Sequence, residues 1–125
     1  MEFKVLSSKT YNATLKAIIN RSGILGFTEF TARKLCLRTT SAVKFAQDIE
    51  DEYIIYLIIL SEGDSDSFPI SKAGNYFYVN AKDLFDSLRI DYINNVVIFD
   101  MIDVSENSMK IYKLNKKEKK RMQVE

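Results

Sequence analysis

The chain has 125 residues, 46% of them hydrophobic, which is enough for one domain with one ordinary core. It carries 18 basic and 17 acidic residues, so the field of the whole molecule is weak and does not by itself demand a polyanionic partner. The sequence contains no histidine, which removes the commonest general base and metal ligand at neutral pH.

The same composition argues against an enzyme, a cofactor and a metal site. One cysteine without histidine excludes the usual zinc centre, and four glycines cannot form a P-loop or a dinucleotide fingerprint. The acidic loop at 62–66 lacks the remaining ligands of an EF-hand. We therefore expect a protein that is not an enzyme and that needs no cofactor.

The single cysteine also bears on the cellular compartment. Cys36 excludes an internal disulfide, which fits a reducing compartment, and its place between two leucines predicts a buried side chain. The N-terminus has no signal-peptide pattern, and no run of about 18 apolar residues is present. We expect a cytoplasmic protein without a membrane span.

The first predicted elements are a hairpin and a helix. A short apolar alternation within residues 1–10 would suit an edge strand or an ordered lead-in. From Ala13 to Phe27, two β-rich runs flank an Asn-Arg-Ser-Gly turn, which predicts a hairpin. Thr28 is a suitable helix cap, and the helix is expected from Glu29 to about Leu35, with Arg33 and Lys34 facing outward.

Two strands and a connector follow the helix. Ser41–Gln47 alternates apolar and polar residues, whereas Tyr53–Leu60 is a β-branched and aromatic run typical of a strand buried on both faces. An acidic turn joins them. Residues 61–68 are rich in Ser, Asp and Gly, which is typical of a connector between two units.

The second half has similar features. Lys72–Asn75 predicts a turn before the strand Tyr76–Val79, and Asn80 matches the position of a helix cap. Apolar residues at helical spacing then predict a short helix, with Leu84, Phe85 and Leu88 on one face. A closing hairpin is expected from Asn95–Val104 and Ser108–Leu114.

The order of predicted elements therefore occurs twice. Leu35-x-Leu37 and Val43-x-Phe45 keep their spacing in Leu88-x-Ile90 and Val96-x-Ile98, with one additional residue expected inside the second helix. We interpret this pattern as a duplication within a single domain, 1–125. The first repeat is 13–60, the connector 61–69, the second repeat 70–114 and the basic tail 115–125. Two unrelated units with similar patterning are the alternative.

A family pattern is visible in Ala17–Leu60. Its features are Gly23 in the turn, the short strand Ile24–Phe27, a helix closing in Arg33-Lys34-Leu35-x-Leu37, and the Val43-x-Phe45 strand. This stretch resembles the AbrB/SpoVT-like swapped-hairpin DNA-binding domain, the fold shared with MazE-type antitoxins and, in tandem, with MraZ. The resemblance implies an α+β, sheet-dominated swapped-hairpin barrel formed by two strand-helix-hairpin repeats, with one short helix per repeat. Since a single unit cannot bury its hairpin alone, the two repeats would pair within the chain.

The resemblance also implies a function, that of a non-enzymatic DNA-binding regulator of transcription. Family members commonly carry an arginine after the turn glycine and a proline at the helix start, where this chain has Ile24 and Thr28. Ile24 cannot make the charge-assisted bonds of an arginine, so we expect mainly contacts with the backbone of double-stranded DNA. The candidate DNA-binding residues are Lys16, Arg21, Arg33, Lys34, Arg38, Lys72, Lys82 and Arg89.

Several alternatives stay open at this stage. These cations would suit ordinary surface charges equally well, and the basic tail is either a solvated terminus or an arm that touches phosphates. The scaffold could also serve a protein–protein interaction module, antitoxin-like or structural, that has lost DNA binding and pairs with a protein partner or as a homodimer. At least one ring of Tyr76-Phe77-Tyr78 points away from the core, for cross-strand packing or for base stacking.

Overall fold

The computed structural model describes residues 1–6 and 14–122. Within them, the chain forms nine strands and two short helices. They are β1 (Leu15–Ile19), β2 (Ile24–Phe27), α1 (Glu29–Lys34), β3 (Ala42–Gln47), β4 (Ile55–Leu60), β5 (Phe68–Pro69), β6 (Ser71–Ala73), β7 (Tyr76–Asn80), α2 (Lys82–Ser87), β8 (Asn95–Asp103) and β9 (Lys110–Lys120).

The strands form one antiparallel sheet in the order β5-β3-β4-β9-β8-β1-β2-β7-β6. The two end strands, β5 and β6, are separated along the chain by Ile70 alone. The segment 68–73 therefore pairs with β3 through its first part and with β7 through its last part. This bends the sheet into a nearly closed barrel and confirms the expectation of a sheet-dominated α+β fold with two short helices.

Strands from the two halves of the chain interleave in this barrel. β1 pairs with β8, β2 with β7, β4 with β9 and β3 with β5. The hairpins β1–β2, β3–β4, β6–β7 and β8–β9 supply the remaining ladders. Each half thus pairs its strands with those of the other half, and neither half forms a sheet of its own.

The core lies inside the barrel and takes side chains from both halves. The largest fully buried side chains include Ile19, Leu25, Leu57, Val79, Phe85 and Val97. Phe45, in the part of β3 that β5 does not reach, packs edge-to-face against Phe68 and Phe85, with ring centroids 5.5 and 5.7 Å apart. Each buried side chain of this size contributes about 1.5–3 kcal/mol, so the fold depends on contacts that cross between the halves.

The first hairpin and helix form where local sequence predicts them. The side-chain oxygen of Asn20 accepts hydrogen bonds from the N–H groups of Ser22 and Ile24, at 2.8 and 3.2 Å. Thr28 Oγ1 caps α1 by accepting from the N–H of Thr31 at 3.3 Å. The buried hydroxyl of Thr31 accepts in turn from the N–H of Lys16 at 2.7 Å, which ties α1 to β1.

The cap of the second helix differs from the prediction. Asn80 is the last residue of β7, paired with Ile24, and Ala81 occupies the cap position without a side-chain hydrogen bond. The Asn80 side chain still accepts from the N–H of Lys82 at 3.4 Å. Both helices have six residues and each follows its strand after one residue, so the additional residue lies at the end of β7 rather than inside α2. The strand ladder outweighed the capping preference of asparagine here.

The predicted burial of Cys36 is wrong. Its flanking residues Leu35 and Leu37 are buried, but the cysteine is exposed with a φ of 53°. The N–H of Leu37 bonds to the carbonyl of Ala32, which is the pairing that ends a helix through a left-handed residue. The left-handed backbone conformation of Cys36 turns its side chain towards solvent.

Two strand predictions also need correction. The strand expected over Tyr53–Leu60 begins at Ile55, and its inward and outward positions alternate in burial, with Leu57 and Ile59 inside. Tyr53 is 87% exposed. The sequence predicted burial on both faces because the outward-facing residues of this strand are apolar as well. In the structure those outward-facing residues are only half-buried.

Some predicted boundaries shift as well. Phe68 and Pro69, assigned to the connector, form β5, because they pair with β3. The predicted basic tail from 115 is strand as far as Lys120, because the apolar β8 provides a ladder partner along its whole length. Residues 1–6, part of the segment expected as an edge strand or lead-in, do not form a strand. Residues 7–13 and 123–125, where the remaining parts of these predictions fall, lie outside the described residues.

Candidate nucleic-acid interface

The last part of β9 forms an ordered, basic strand edge. β9 pairs with β8 from Tyr112 to Lys120, but its ladder with β4 ends at Leu114. From 115 to 120, the other side of β9 therefore has no strand partner among the described residues. Four lysines lie along this stretch, and we call them the basic edge: Lys116, Lys117, Lys119 and Lys120.

The end of the basic edge is anchored by Arg121. Its N–H bonds to the carbonyl of Asn94 at 2.8 Å, and its guanidinium donates to the carbonyl of Tyr92 at 3.0 Å. Tyr92 is buried, and its hydroxyl donates to Asp86 at 2.5 Å. The strand end is thereby tied to α2 and the loop that follows, so the lysines project from a fixed backbone.

Two of the four lysines of the basic edge are not neutralised locally. Lys116 Nζ lies 3.1 Å from a carboxylate oxygen of Glu118, and Lys117 contacts Asp100. In the part of the chain that the structure describes, Lys119 and Lys120 make no ion pair. Exposed pairs such as Lys116–Glu118 contribute little and break easily in salt, so a polyanion could compete for this lysine.

Asp100 is the acidic residue at the centre of this surface. It is only 9% exposed, and one of its carboxylate oxygens has no hydrogen-bond partner among residues 1–6 and 14–122. Lys16 stands directly opposite Asp100 in the β1–β8 ladder. Lys16 is the one residue of the predicted DNA-binding set that the ladders place next to the basic edge.

All eight predicted DNA-binding residues are exposed, but the structure places them in separate regions. Arg33 and Lys72 line the same cleft of about 330 Å³, between α1 and the β6–β7 hairpin. Arg38 lines another depression together with Lys110. The Lys34 ammonium lies 5.8 Å from the ring centre of Phe30. The structure therefore places Arg33 and Lys72 beside each other, and it does not bring the whole set together.

The remaining predicted residues lie at the turn of the first hairpin and around α2. Lys82 packs against Gly23, two residues after Arg21, and its ammonium lies 2.8 Å from Asp86. Arg89 follows the end of α2 with a φ of 58°, the position that Cys36 occupies after α1. The ion pair of Lys82 with Asp86 is exposed, like that of Lys116 with Glu118, so a polyanion could compete for Lys82 as well.

The protonation of the Lys82 cluster follows from its hydrogen bonds. The bond from Lys82, followed by that from Tyr92, holds the pKa of Asp86 below its ordinary value. The bond to Asp86 in turn raises the pKa of both Lys82 and Tyr92. The cluster is a structural clasp between α2, the loop after it and the first hairpin.

The sequence analysis assigned the lysines of the basic edge to a tail, either a solvated terminus or an arm that touches phosphates, and did not predict a strand there. Only the pairing with β8 shows that they lie on a strand. Among the residues described, no group of three acidic or cysteine side chains could hold a metal ion, and no helix has the length and apolarity to cross a membrane.

Comparisons with known proteins add no assignment. No family model, curated protein or solved structure matches the chain. Its function must be argued from its own residues.

Proposed function

We propose that this protein is a non-enzymatic DNA-binding regulator that contacts mainly the phosphate backbone of double-stranded DNA. The observation that carries the proposal is the basic edge, with its four lysines on an anchored strand that has one open side. The AbrB/SpoVT-like swapped-hairpin barrel with internal duplication is the scaffold that we propose for it. Support comes from the order strand-strand-helix-strand-strand, which occurs in both halves, and from their interleaved ladders.

The geometry of a strand suits backbone contacts better than base recognition. Alternate residues of a strand are about 6.6–6.8 Å apart and point to the same side. Lys117 and Lys119 therefore point to one side of β9 and Lys116 and Lys120 to the other, and the lysines form two short rows of point charges. Lysine binds phosphate as a point charge, whereas bidentate reading of guanine is mainly done by arginine. Binding should therefore depend strongly on salt and weakly on DNA sequence.

A titration with a fluorescent DNA duplex, followed by anisotropy at several salt concentrations, tests the proposal. We expect Lys119→Gln with Lys120→Gln to weaken binding and to reduce the slope of log K against log salt by about 2. The matched control removes two charges elsewhere, Lys44→Gln with Lys110→Gln, and should leave the slope close to that of the wild type. A duplex of scrambled sequence should bind equally well.

Asp100→Asn provides a test in the opposite direction. Without the carboxylate, Lys117 loses its ion-pair partner and becomes available to phosphate. We expect tighter binding and a salt slope steeper by about 1. Circular dichroism should confirm that the variant folds.

Two results would contradict the proposal. No salt-dependent affinity for any duplex would leave the lysines with the role of protecting an open strand edge against aggregation, and would favour the protein-interaction alternative. Equal losses in the double variant and its control would assign binding to net charge rather than to the basic edge.

A further inference from the structure

An apolar groove lies on the outside of the barrel, away from the core. It crosses β3, β4 and β9 and continues under the β8–β9 turn, with a volume of about 410 Å³. It is lined by Ala46, Tyr56, Ile58, Val104, Glu106, Ile111 and Lys113. The outward face of an antiparallel sheet is normally polar where it meets water. An apolar outer face of this kind therefore indicates a binding surface.

The ladders explain how the groove is built. Ile58 pairs with Ile111 and Tyr56 with Lys113 across β4 and β9, which places one apolar pair next to a pair of an aromatic ring and a lysine. Val104 remains 41% exposed beyond the end of β8, although its N–H bonds to the carbonyl of Ile111. Glu106 and Lys113 are the two charged residues among those lining the groove, one of each sign.

The N-terminal segment Met1–Leu6 has the complementary character. It exposes Phe3, Val5 and Leu6, at 82%, 76% and 65%. In an extended chain Phe3 and Val5 point to one side while Glu2 and Lys4 point to the other. The segment therefore offers one apolar side and one charge of each sign.

We propose that Met1–Leu6 of one copy of this chain occupies the apolar groove of a second copy, in a symmetric exchange. Phe3 and Val5 would pack on Ile58 and Ile111, and Lys4 and Glu2 would meet Glu106 and Lys113 at the rim. Within its own chain the segment stays exposed, and none of its residues lines the groove. The proposal does not depend on DNA binding, because no residue that lines the groove belongs to the basic edge.

Sedimentation velocity of the full chain over a wide concentration range gives the first test. We expect twice the mass of one chain for the wild type, and the mass of one chain for Val5→Glu and Ile58→Glu. Ile93→Glu, at a residue that is 57% exposed and outside the groove, is the matched control and should remain dimeric. Val5→Glu lies in the exposed segment, so its result does not depend on refolding of the barrel.

Disulfide trapping identifies the occupant. In a Cys36→Ser background, a chain with Phe3→Cys is mixed with a chain carrying Val104→Cys, and we expect a disulfide-linked heterodimer. Pairing with Ile93→Cys instead should give at least tenfold less. A monomeric wild type at every concentration would overturn the proposal. So would a dimer unaffected by Val5→Glu, or an intramolecular disulfide in a single chain that carries both cysteines.

Discussion

Gly23 and Gly74 hold the turns of the β1–β2 and β6–β7 hairpins, both at positive φ, 79° and 61°. Their surroundings differ. A Cβ on Gly23 would lie 2.7 Å from Lys82 Cγ and 3.1 Å from the hydroxyl of Tyr92, whereas a Cβ on Gly74 would have open space. Replacing each glycine by alanine therefore tests two effects. At Gly74 it measures backbone strain alone, and at Gly23 it measures backbone strain together with close packing between the two halves.

We expect Gly74→Ala to cost about 1–2 kcal/mol of unfolding free energy, because alanine is strained in a left-handed conformation. Gly23→Ala should cost about 1–3 kcal/mol more, since its methyl group must also displace Lys82. Urea unfolding of both variants measures the difference. Equal losses of unfolding free energy in the two variants would show that the turn at Gly23 is not in tight contact with Lys82 of α2.

At the scale of elements, the Lys82–Asp86–Tyr92 clasp holds α2 and the loop after it. Asp86 has a lowered pKa, so its contribution is present above its unfolded pKa and is lost as pH falls through the lower folded value. Lys82 and Tyr92 have raised pKa values, so their contribution is present below their unfolded pKa values and is lost as pH rises through the folded ones.

Asp86→Asn should therefore be less stable than the wild type by a constant amount between about pH 5 and pH 9, and this difference should shrink at both extremes. High salt should reduce it, because the cluster is exposed to solvent. Unfolding free energies measured across pH check this. Asp83→Asn, with the same change in charge on the same helix, should show no such plateau.

Sequence reasoning succeeded where neighbouring residues decide the structure. The Asn20 turn and the Thr28 cap are set by side-chain bonds over two to four residues, and both appear as predicted. It failed where distant pairing decides. Asn80 is held in β7 by Ile24, and Lys120 is held in β9 by Asn95.

The candidate site shows the same division. The exposure of the predicted cations follows from their charge, but their grouping depends on the order of strands in the barrel. That order joins Lys16 to Asp100 and brings Arg33 to Lys72 across the two halves. No local pattern contains this information.

At the scale of the whole molecule, the interleaved ladders make the two halves interdependent. A protease site inserted into the loop 61–67 should be cleaved without separating the fragments, because β1–β8, β2–β7 and β4–β9 still join them. Gel filtration of the cleaved protein should give the volume of the intact one, and unfolding should occur in one transition. Fragments that separate without denaturant would contradict this.

The pairing of Ile18 with Ile98 also has a consequence for biosynthesis. β1 leaves the ribosome long before β8 has been translated, and β2 likewise waits for β7. The hairpins β1–β2 and β3–β4 can form early, but their outer edges stay without β7, β8 and β9 until nearly all of the chain has emerged, so we expect the barrel to close late in synthesis.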